Sequence, residues 1–273
     1  MLKLFLPVLQ GEIIHLILAE IFLTMGGTLD FKLVQPEESI KDFVYCFSSL
    51  QNFSNDHKAV VTPNGRIDLI CSKTNNNKIQ IALLGLETQP KYPDQEISDF
   101  CSVSFNPLAI EYIFGFSVAD IINSGRLMPD DFWGLKIEDL DHFDAFCDMM
   151  TRKISSLLPE DVDVRKRKLF ELVFALDGEI SVAELCEKIS WSPRQINRYF
   201  NQQFGLPLKA YCKILRFQAS LSHIKAGTLY PQLNFTDQSH FIKEVKRLSG
   251  VSPKELYKNK NDRFLQFLVD GQK

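Results

Sequence analysis

The stretch from 234 to 258, NFTDQSHFIKEVKRLSGVSPKELYK, constrains the fold more than any other part of the chain. It opens with a Thr-Asp pair in which Asp237 suits a helix N-cap, and Gly250 suits a helix end. Between them, apolar residues recur three or four apart and basic residues occupy the other faces. A capping box, S-P-K-E from Ser252, follows at once. This stretch predicts a basic amphipathic helix over 238–248 and a second helix directly behind it.

A related pattern occurs upstream in ISVAELCEKISWSPRQINRYFNQQFG, residues 180–205. Ser181 and Ser192 each open a capping box, and the second box has proline at its first helical position, where a missing N–H costs nothing. Residues 208–225 then read as one long helix spanning roughly 27 Å. Successive major-groove faces of DNA lie roughly 34 Å apart. The chain therefore predicts two helix-turn-helix modules joined by a rod that could place both on one side of a duplex.

The outer faces of these two helices carry side chains that suit DNA. Arginine and asparagine can each make paired hydrogen bonds to the edges of guanine and adenine in the major groove. On the first helix this face is Arg194, Asn197, Arg198 and Asn201. On the second helix the faces away from the core carry Gln238, Ser239, Ile242, Lys243, Lys246 and Arg247.

The two halves of the chain differ in charge. The net charge of −3 hides a split, because residues 160–273 hold 19 of the 31 Lys and Arg but only 13 of the 34 Asp and Glu. The first half is correspondingly acidic. A basic part beside an acidic one suits a DNA-binding domain joined to a domain with another partner.

The first half predicts a strand-rich domain. Residues 42–50, 66–71, 79–84 and 96–105 read as strands, and the Asn-Gly pair at 64–65 predicts a hairpin joining 59–62 to 66–71. Helical character follows at 108–114 and 117–123, and a longer helix is expected over 137–158. That helix either packs on the core or mediates dimerisation. The predicted fold is α+β, with a small β-barrel or sandwich carrying flanking helices before the all-helical part.

The predicted domain limits place an N-terminal extension at 1–27, a sensor or dimerisation domain at 28–158, a DNA-binding domain at 160–260 and a tail at 261–273. We expect Met25 to be the natural start, since the apolar run before it is interrupted by Glu12, His15 and Glu20. That run has neither the ~18 uninterrupted apolar residues of a membrane helix nor the order of a signal peptide. The six cysteines lack metal-ligand spacing, and we expect reduced, buried thiols.

The C-terminal half resembles the AraC/XylS family of transcription regulators. The resemblance rests on SPRQINRYFNQQFGLPLKAYCKILRFQAS (192–220) and DQSHFIKEVKRLSGVSPKELYK (237–258) and covers about residues 165–258. It implies that Arg194, Asn197 and Arg198 face bases or phosphates in one groove. It also implies that Gln238, Ser239, Ile242 and Lys243 do so in the next groove, while His240 orients the backbone or a phosphate.

The second module departs from the family pattern. The family has a full helix before its second reading helix, but GTLYPQLNF at 227–235 is several residues too short, and Pro231 limits it further. Val245 stands where the family has phenylalanine, and Lys243 where it has arginine. We therefore expect the second module to dock less rigidly or to read fewer bases than the first.

The first half shows a weaker resemblance, through PNGRIDLI, the LLG turn and FNPLAIEYIFG, to sensor domains of some bacterial members of this family. The resemblance implies a cytoplasmic bacterial regulator of transcription that binds double-stranded DNA, has no enzyme activity or cofactor, and has no membrane partner. It also implies a small effector bound by the N-terminal domain, and it leaves homodimerisation and contact with RNA polymerase open.

Two alternatives remain from the sequence. One is an effector-independent DNA binder whose first half only dimerises. The other is a DNA-repair methyltransferase fused to the same module, which would need a nucleophilic cysteine in a defined local motif. Cys46, Cys71 and Cys101 lack such neighbours.

Overall fold

The computed structural model describes residues 30–51, 60–92 and 99–258. The predicted extension at 1–27, with the proposed start at Met25, and the predicted tail at 261–273 lie outside the described residues. No helix in the described part of the chain is long and apolar enough to cross a membrane.

The first half is built on one six-stranded antiparallel sheet in the order β1-β2-β5-β3-β4-β6. Its strands are β1 Asp30–Val34, β2 Val44–Gln51, β3 Ile67–Lys73, β4 Ile79–Leu84, β5 Phe100–Phe105 and β6 Gly125–Leu127. Side chains alternate along β3, so that Ile67, Leu69 and Cys71 are buried on one face. The strand-rich first half is confirmed. Among the described residues it is one open sheet with β1 and β6 at its edges, and not the closed barrel or two-sheet sandwich that was expected.

The predicted hairpin between 59–62 and 66–71 is wrong. The turn exists, with Gly65 at a φ of 73° and the Arg66 N–H donating to Asn64 Oδ1 over 2.8 Å. However, β3 already pairs with β4 on one edge and β5 on the other, so no edge is left for the incoming segment. Val61 pairs instead with Lys91, through N–O distances of 3.0 and 2.8 Å.

The expected helices of the middle segment are shorter and more irregular than predicted. A π-helix spans Ile110–Phe114, and a single 3-10 turn spans Ala119–Ile121. The helix expected over 137–158 is broken, because a 3-10 turn at Ile137–Leu140 is followed by a separate helix, α1, at Phe143–Ser156. The buried face of α1 is Phe143, Phe146, Cys147, Met150 and Ile154, so the core-packing alternative is the one observed.

The second half is helical, which together with the sheet confirms the α+β class. Its helices are α2 Val164–Ala175, α3 Val182–Ile189, α4 Pro193–Phe204, α5 Leu208–Lys225, α6 Gln238–Ser249 and α7 Pro253–Lys258. The capping boxes predicted at Ser181 and Ser192 are present, and Ser252 makes the same reciprocal bonds with Glu255.

The shortened segment of the second module is confirmed. Residues 226–237, between α5 and α6, contain no helix although all of them are described. The first module has α3 in the corresponding place, packed beside α4.

Candidate nucleic-acid interface

The first candidate reading helix is α4, which is fixed at both ends. At its start the Gln195 N–H donates to Ser192 Oγ over 3.3 Å, and the Ser192 N–H donates to Gln195 Oε1 over 2.9 Å. Ile196, Phe200 and Phe204 are buried on its inner face. Helix α4 is therefore held by its core face, which leaves the opposite face for a partner.

The outer face of α4 carries the predicted contact residues. Arg194, Arg198 and Asn201 are exposed, whereas Asn197 is half-buried. The Asn197 amide donates to Pro193 O over 3.0 Å, and the Asn201 amide donates to Asn197 O over 2.8 Å. Both asparagine amides are thus engaged with their own helix and would have to turn outward to read adenine, while the two arginines point into solvent already.

The second candidate reading helix is α6. Asp237 Oδ1 accepts the His240 N–H over 2.7 Å at its start, and Gly250 ends it in a left-handed conformation. Phe241, Val245 and Leu248 are buried beneath it. The exposed predicted contact residues are Gln238, Ser239, Ile242, Lys243, Lys246 and Arg247, whereas His240 is half-buried.

Three of the predicted residues on α6 have other partners in this structure. The Gln238 amide donates to Leu229 O over 2.9 Å. His240 Nδ1 accepts the Thr236 N–H over 3.4 Å, which suits a role in orienting the backbone. Arg247 donates to Thr88 O over 3.2 Å and to Glu244 Oε2 over 3.1 Å. Thr88 belongs to the first half of the chain, which runs up to residue 158 and is called the sheet domain below. Arg247 therefore contacts the sheet domain.

The irregular segment 226–237 is held by side chains instead of by helical pairing. Arg216 of α5 donates to Asn234 O over 2.7 Å, and its guanidinium lies 5.9 Å from the Phe235 ring centroid. The Phe235 ring packs edge-on against Phe241 at 5.1 Å. Arg216 lies in the stretch 192–220 that carries the family resemblance, but nothing in the sequence predicts its part in holding this segment.

Several contacts between the two halves also carried no sequence signal. The Tyr211 hydroxyl of α5 donates to Gly65 O over 2.9 Å, and the Asp163 N–H donates to the Tyr112 hydroxyl over 3.0 Å. The Arg66 guanidinium lies 4.3 Å from both the Tyr45 and the Phe174 ring centroids. These contacts join residues far apart in sequence through single carbonyls and rings, which leave no periodic pattern behind.

The cysteines of the structure are unlike activated nucleophiles. Cys46, Cys71, Cys101, Cys147 and Cys212 are buried and Cys186 is half-buried. Burial raises the pKa of Cys46 and of Cys71 to about 12. A nucleophilic cysteine needs a lowered pKa, so these thiols do not favour the methyltransferase alternative.

Two capped helices with buried inner faces and exposed basic outer faces, joined by an 18-residue helix, define the class of DNA-binding helix-turn-helix proteins. Residues 185–259 match the family model described as a helix-turn-helix domain. This part of the chain is a helix-turn-helix domain of the AraC type, which supports a role in DNA binding.

Solved structures with a similar outline are those of ToxT from Vibrio cholerae. A 1.65 Å structure is 15% identical, covers 86% of this chain and 98% of that one, and has a TM-score of 0.39. ToxT bound to an unsaturated fatty acid is 14% identical, with coverages of 85% and 96% and a TM-score of 0.39. ToxT bound to a naphthalenyl butenoic acid is 17% identical, with coverages of 86% and 99% and a TM-score of 0.37.

All three TM-scores lie below 0.5, a degree of likeness that identifies neither a ligand nor a target for this chain. No curated protein matched the sequence.

Proposed function

We propose that this protein regulates transcription by reading a bipartite site in double-stranded DNA with α4 and α6. The observation that carries the proposal is the exposure of the same type of face on both capped helices. On α4 the proposed contacts are Arg194, Asn197, Arg198 and Asn201. On α6 they are Gln238, Ser239, His240, Ile242, Lys243, Lys246 and Arg247.

The two helices are proposed to contribute unequally. Helix α4 offers two exposed arginines, the side chain that pairs with both acceptors of guanine. On α6 the Gln238 amide and the Arg247 guanidinium already have partners. The other exposed residues there are Ser239, Ile242 and two lysines, which suit phosphate contact and contact with a thymine methyl group. We expect α4 to supply most of the sequence specificity and α6 to supply salt-dependent affinity.

The direct test is selection of binding sites from a random duplex library by the full-length chain. Enrichment of two half-sites about one helical turn apart supports reading by both helices. A single short half-site would mean that α6 only grips the backbone. Failure to enrich any sequence, with and without candidate effectors, would overturn the proposal.

The sharpest single-residue test is Arg198→Ala. Loss of a bidentate contact to guanine should weaken binding to the selected site by about 1–3 kcal/mol and relax specificity at one position. A phosphate contact would instead weaken binding to all sequences alike and lower the salt slope by about 1. Arg152→Ala, which removes an exposed arginine from α1, is the matched control and should leave both affinity and slope unchanged.

We further propose that residues 28–158 form a separate sensor domain, and that a small effector binds it and shifts the population of DNA-binding conformations. The proposed boundary with the DNA-binding domain, at 159–160, lies in the irregular stretch between α1 and α2. A thermal-shift screen against metabolite mixtures tests the effector. Persistent absence of any shift would favour an N-terminal domain that acts by dimerisation alone.

A further inference from the structure

The sheet domain contacts the C-terminal end of the first reading helix. Ser117 Oγ donates to Gln202 O over 2.6 Å, and the Val118 N–H donates to Gln203 O over 2.9 Å. Helix α4 then ends at Gly205, whose φ is 76°. A Cβ atom added there would lie 2.7 Å from Ala119 O, so the segment 117–119 packs directly on the end of the helix.

The sheet domain contacts the C-terminal end of the second reading helix in the same manner. Thr88 O accepts a hydrogen bond from Arg247 over 3.2 Å. Helix α6 also ends at a left-handed glycine, Gly250, with a φ of 80°. The Tyr92 hydroxyl approaches Gly250 so closely that an added Cβ would overlap it. The end of α6 is therefore held by the segment 88–92.

These two contact segments are bonded to each other. Asn123 Oδ1 accepts both the Thr88 N–H over 2.7 Å and the Thr88 hydroxyl over 3.0 Å. The Asn123 N–H donates to Leu86 O over 2.9 Å, and the Gly85 N–H donates to Ser124 O over 3.0 Å. The segments 85–92 and 117–124, together called the bracket below, thus form one unit that touches both reading helices.

The bracket leaves the reading faces open. Helices of this type contact bases with their N-terminal residues, and the bracket touches the C-terminal ends. Arg194 and Arg198 of α4, and Gln238 and Lys243 of α6, are exposed with the bracket in place. Arg247, at the C-terminal end of α6, is a proposed DNA contact that also bonds to the bracket. The N-terminal parts of both reading faces stay open, so the contact is compatible with bound DNA.

The second module has a particular need for outside support. In place of a preceding helix it has the irregular segment 226–237. Within the C-terminal half, α6 packs against α5 and α7, and the Lys213–Glu244 pair adds one polar contact at 3.2 Å. The bracket supplies a further hold on α6 from a domain that also holds α4.

We propose that the bracket sets the distance and angle between the two reading helices, and that Asn123 is the positioning residue that joins its two arms. This inference rests on the proposed reading of a bipartite site. It makes the spacing between half-sites a property of the sheet domain as well as of the helix α5. A change in the sheet domain would then reach both modules at once, through the bracket.

The test compares binding to duplexes that carry the two selected half-sites at the native spacing and at spacings altered in single base-pair steps. Asn123→Gly removes the acceptor while retaining the left-handed backbone, since the φ of Asn123 is 57°. We expect its affinity at the native spacing to fall about fivefold to tenfold, the equivalent of one or two lost hydrogen bonds. Affinity for a single half-site should not change, so discrimination between spacings should flatten.

Three further variants separate this effect from general damage. Asn123→Asp keeps the acceptor and should preserve the wild-type spacing profile. Asn77→Gly makes the same substitution at an exposed left-handed position in the turn between β3 and β4, and should also preserve it. Ser117→Ala removes the hydroxyl that donates to Gln202 O and Gln203 O of α4, but it leaves the Val118 contact in place, and it should flatten the profile less than Asn123→Gly does.

The outcomes are distinct. A wild-type chain that enriches no DNA site refutes the proposed function. A wild-type chain that discriminates between spacings, beside folded Asn123→Gly and Ser117→Ala variants with the same profile, refutes the bracket. Folding is checked by the melting temperature of each variant; if Asn123→Gly does not fold, Ser117→Ala decides alone.

Discussion

The two helix-turn-helix modules of this chain differ in the packing that supports their reading helices. In the first, α4 packs beside the preceding helix α3 and over a cluster of five rings from α2, α4 and α5, namely Phe170, Tyr199, Phe200, Phe204 and Tyr211. In the second, α6 follows an irregular segment, and its ring contacts are those of Phe235 with Phe241 and His240. Helix α4 is thus held by a core within its own module, whereas α6 also depends on contacts with other parts of the chain.

This difference indicates which of the two modules can be moved by a change elsewhere in the molecule. A module that is complete in itself can change its orientation only as a rigid unit. A module that depends on Arg216, on the segment 226–237 and on the sheet domain can be shifted by whatever changes those supports. We therefore expect perturbations of the first module to affect folding and those of the second to affect its docking.

The largest expected effect comes from the aromatic cores. Phe200→Ala should cost about 3–5 kcal/mol of unfolding free energy, because the ring is fully buried and packs against four other rings. Phe241→Ala should lie at the lower end of that range, since it loses fewer ring pairs, each worth about 0.5–1.5 kcal/mol. Denaturant unfolding of both variants provides the comparison. Equal losses would mean that the modules are equally well packed.

The next effect concerns the glycines that end the reading helices. Alanine at either position incurs about 1–2 kcal/mol for the left-handed backbone. At Gly205 the new methyl group also meets the backbone oxygen of Ala119, whereas at Gly250 it meets the Tyr92 hydroxyl, which can swing aside. We expect Gly205→Ala to be the more destabilising variant in thermal or chemical unfolding.

Gly134→Ala is the matched control for this pair. Its φ is 77°, and apart from its two chain neighbours no atom of the described residues lies within 4 Å of the position that its Cβ would take. This variant should therefore report the backbone cost alone, and Gly250→Ala should fall close to it. If Gly205→Ala matched the control as well, the segment 117–119 would not pack on α4 as tightly as described.

The helices of the C-terminal half could be predicted from sequence because their signals are local. A capping box needs only residues three apart, and the boxes at Ser181 and Ser192 form as expected. The absence of a helix from residues 226–237 could also be predicted, because the span is short and contains Pro231. The exposed arginines of α4 follow from the same periodicity, because a buried face fixes its opposite.

The bracket could not be predicted because its contacts are not local. Ser117 begins the stretch of predicted helical character at 117–123, and its hydroxyl accepts the Ala119 N–H over 3.1 Å, but that hydroxyl also donates to Gln202 across 85 residues of sequence. Asn123 gave no signal, since an asparagine in a left-handed turn is common. Backbone carbonyls, which accept most of these bonds, are the same at every position and leave no trace in a sequence.

The smallest expected effect tests the polar contact that ties α6 to α5. Glu244 lies between Lys213 at 3.2 Å and Arg247 at 3.1 Å. Burial opposes ionisation of this carboxyl, but the hydrogen bonds and charges of the two cations outweigh it and lower its pKa. A lowered pKa in the folded state adds stability that is present above the unfolded pKa of about 4.3 and is lost as pH falls through the folded value.

Glu244→Gln should therefore cost less than ~1 kcal/mol of unfolding free energy at pH 7, and the difference from wild type should shrink towards zero below about pH 4. Denaturant unfolding across pH 3–8 measures it. Glu187→Gln, an equal change of charge on the exposed face of α3, should show no such trend. If the difference in unfolding free energy between Glu244→Gln and wild type grew as pH fell, the pKa of Glu244 in the folded state would be raised and not lowered. It would mean that the second module is held without this carboxylate, which leaves the bracket and the segment 226–237 to position α6.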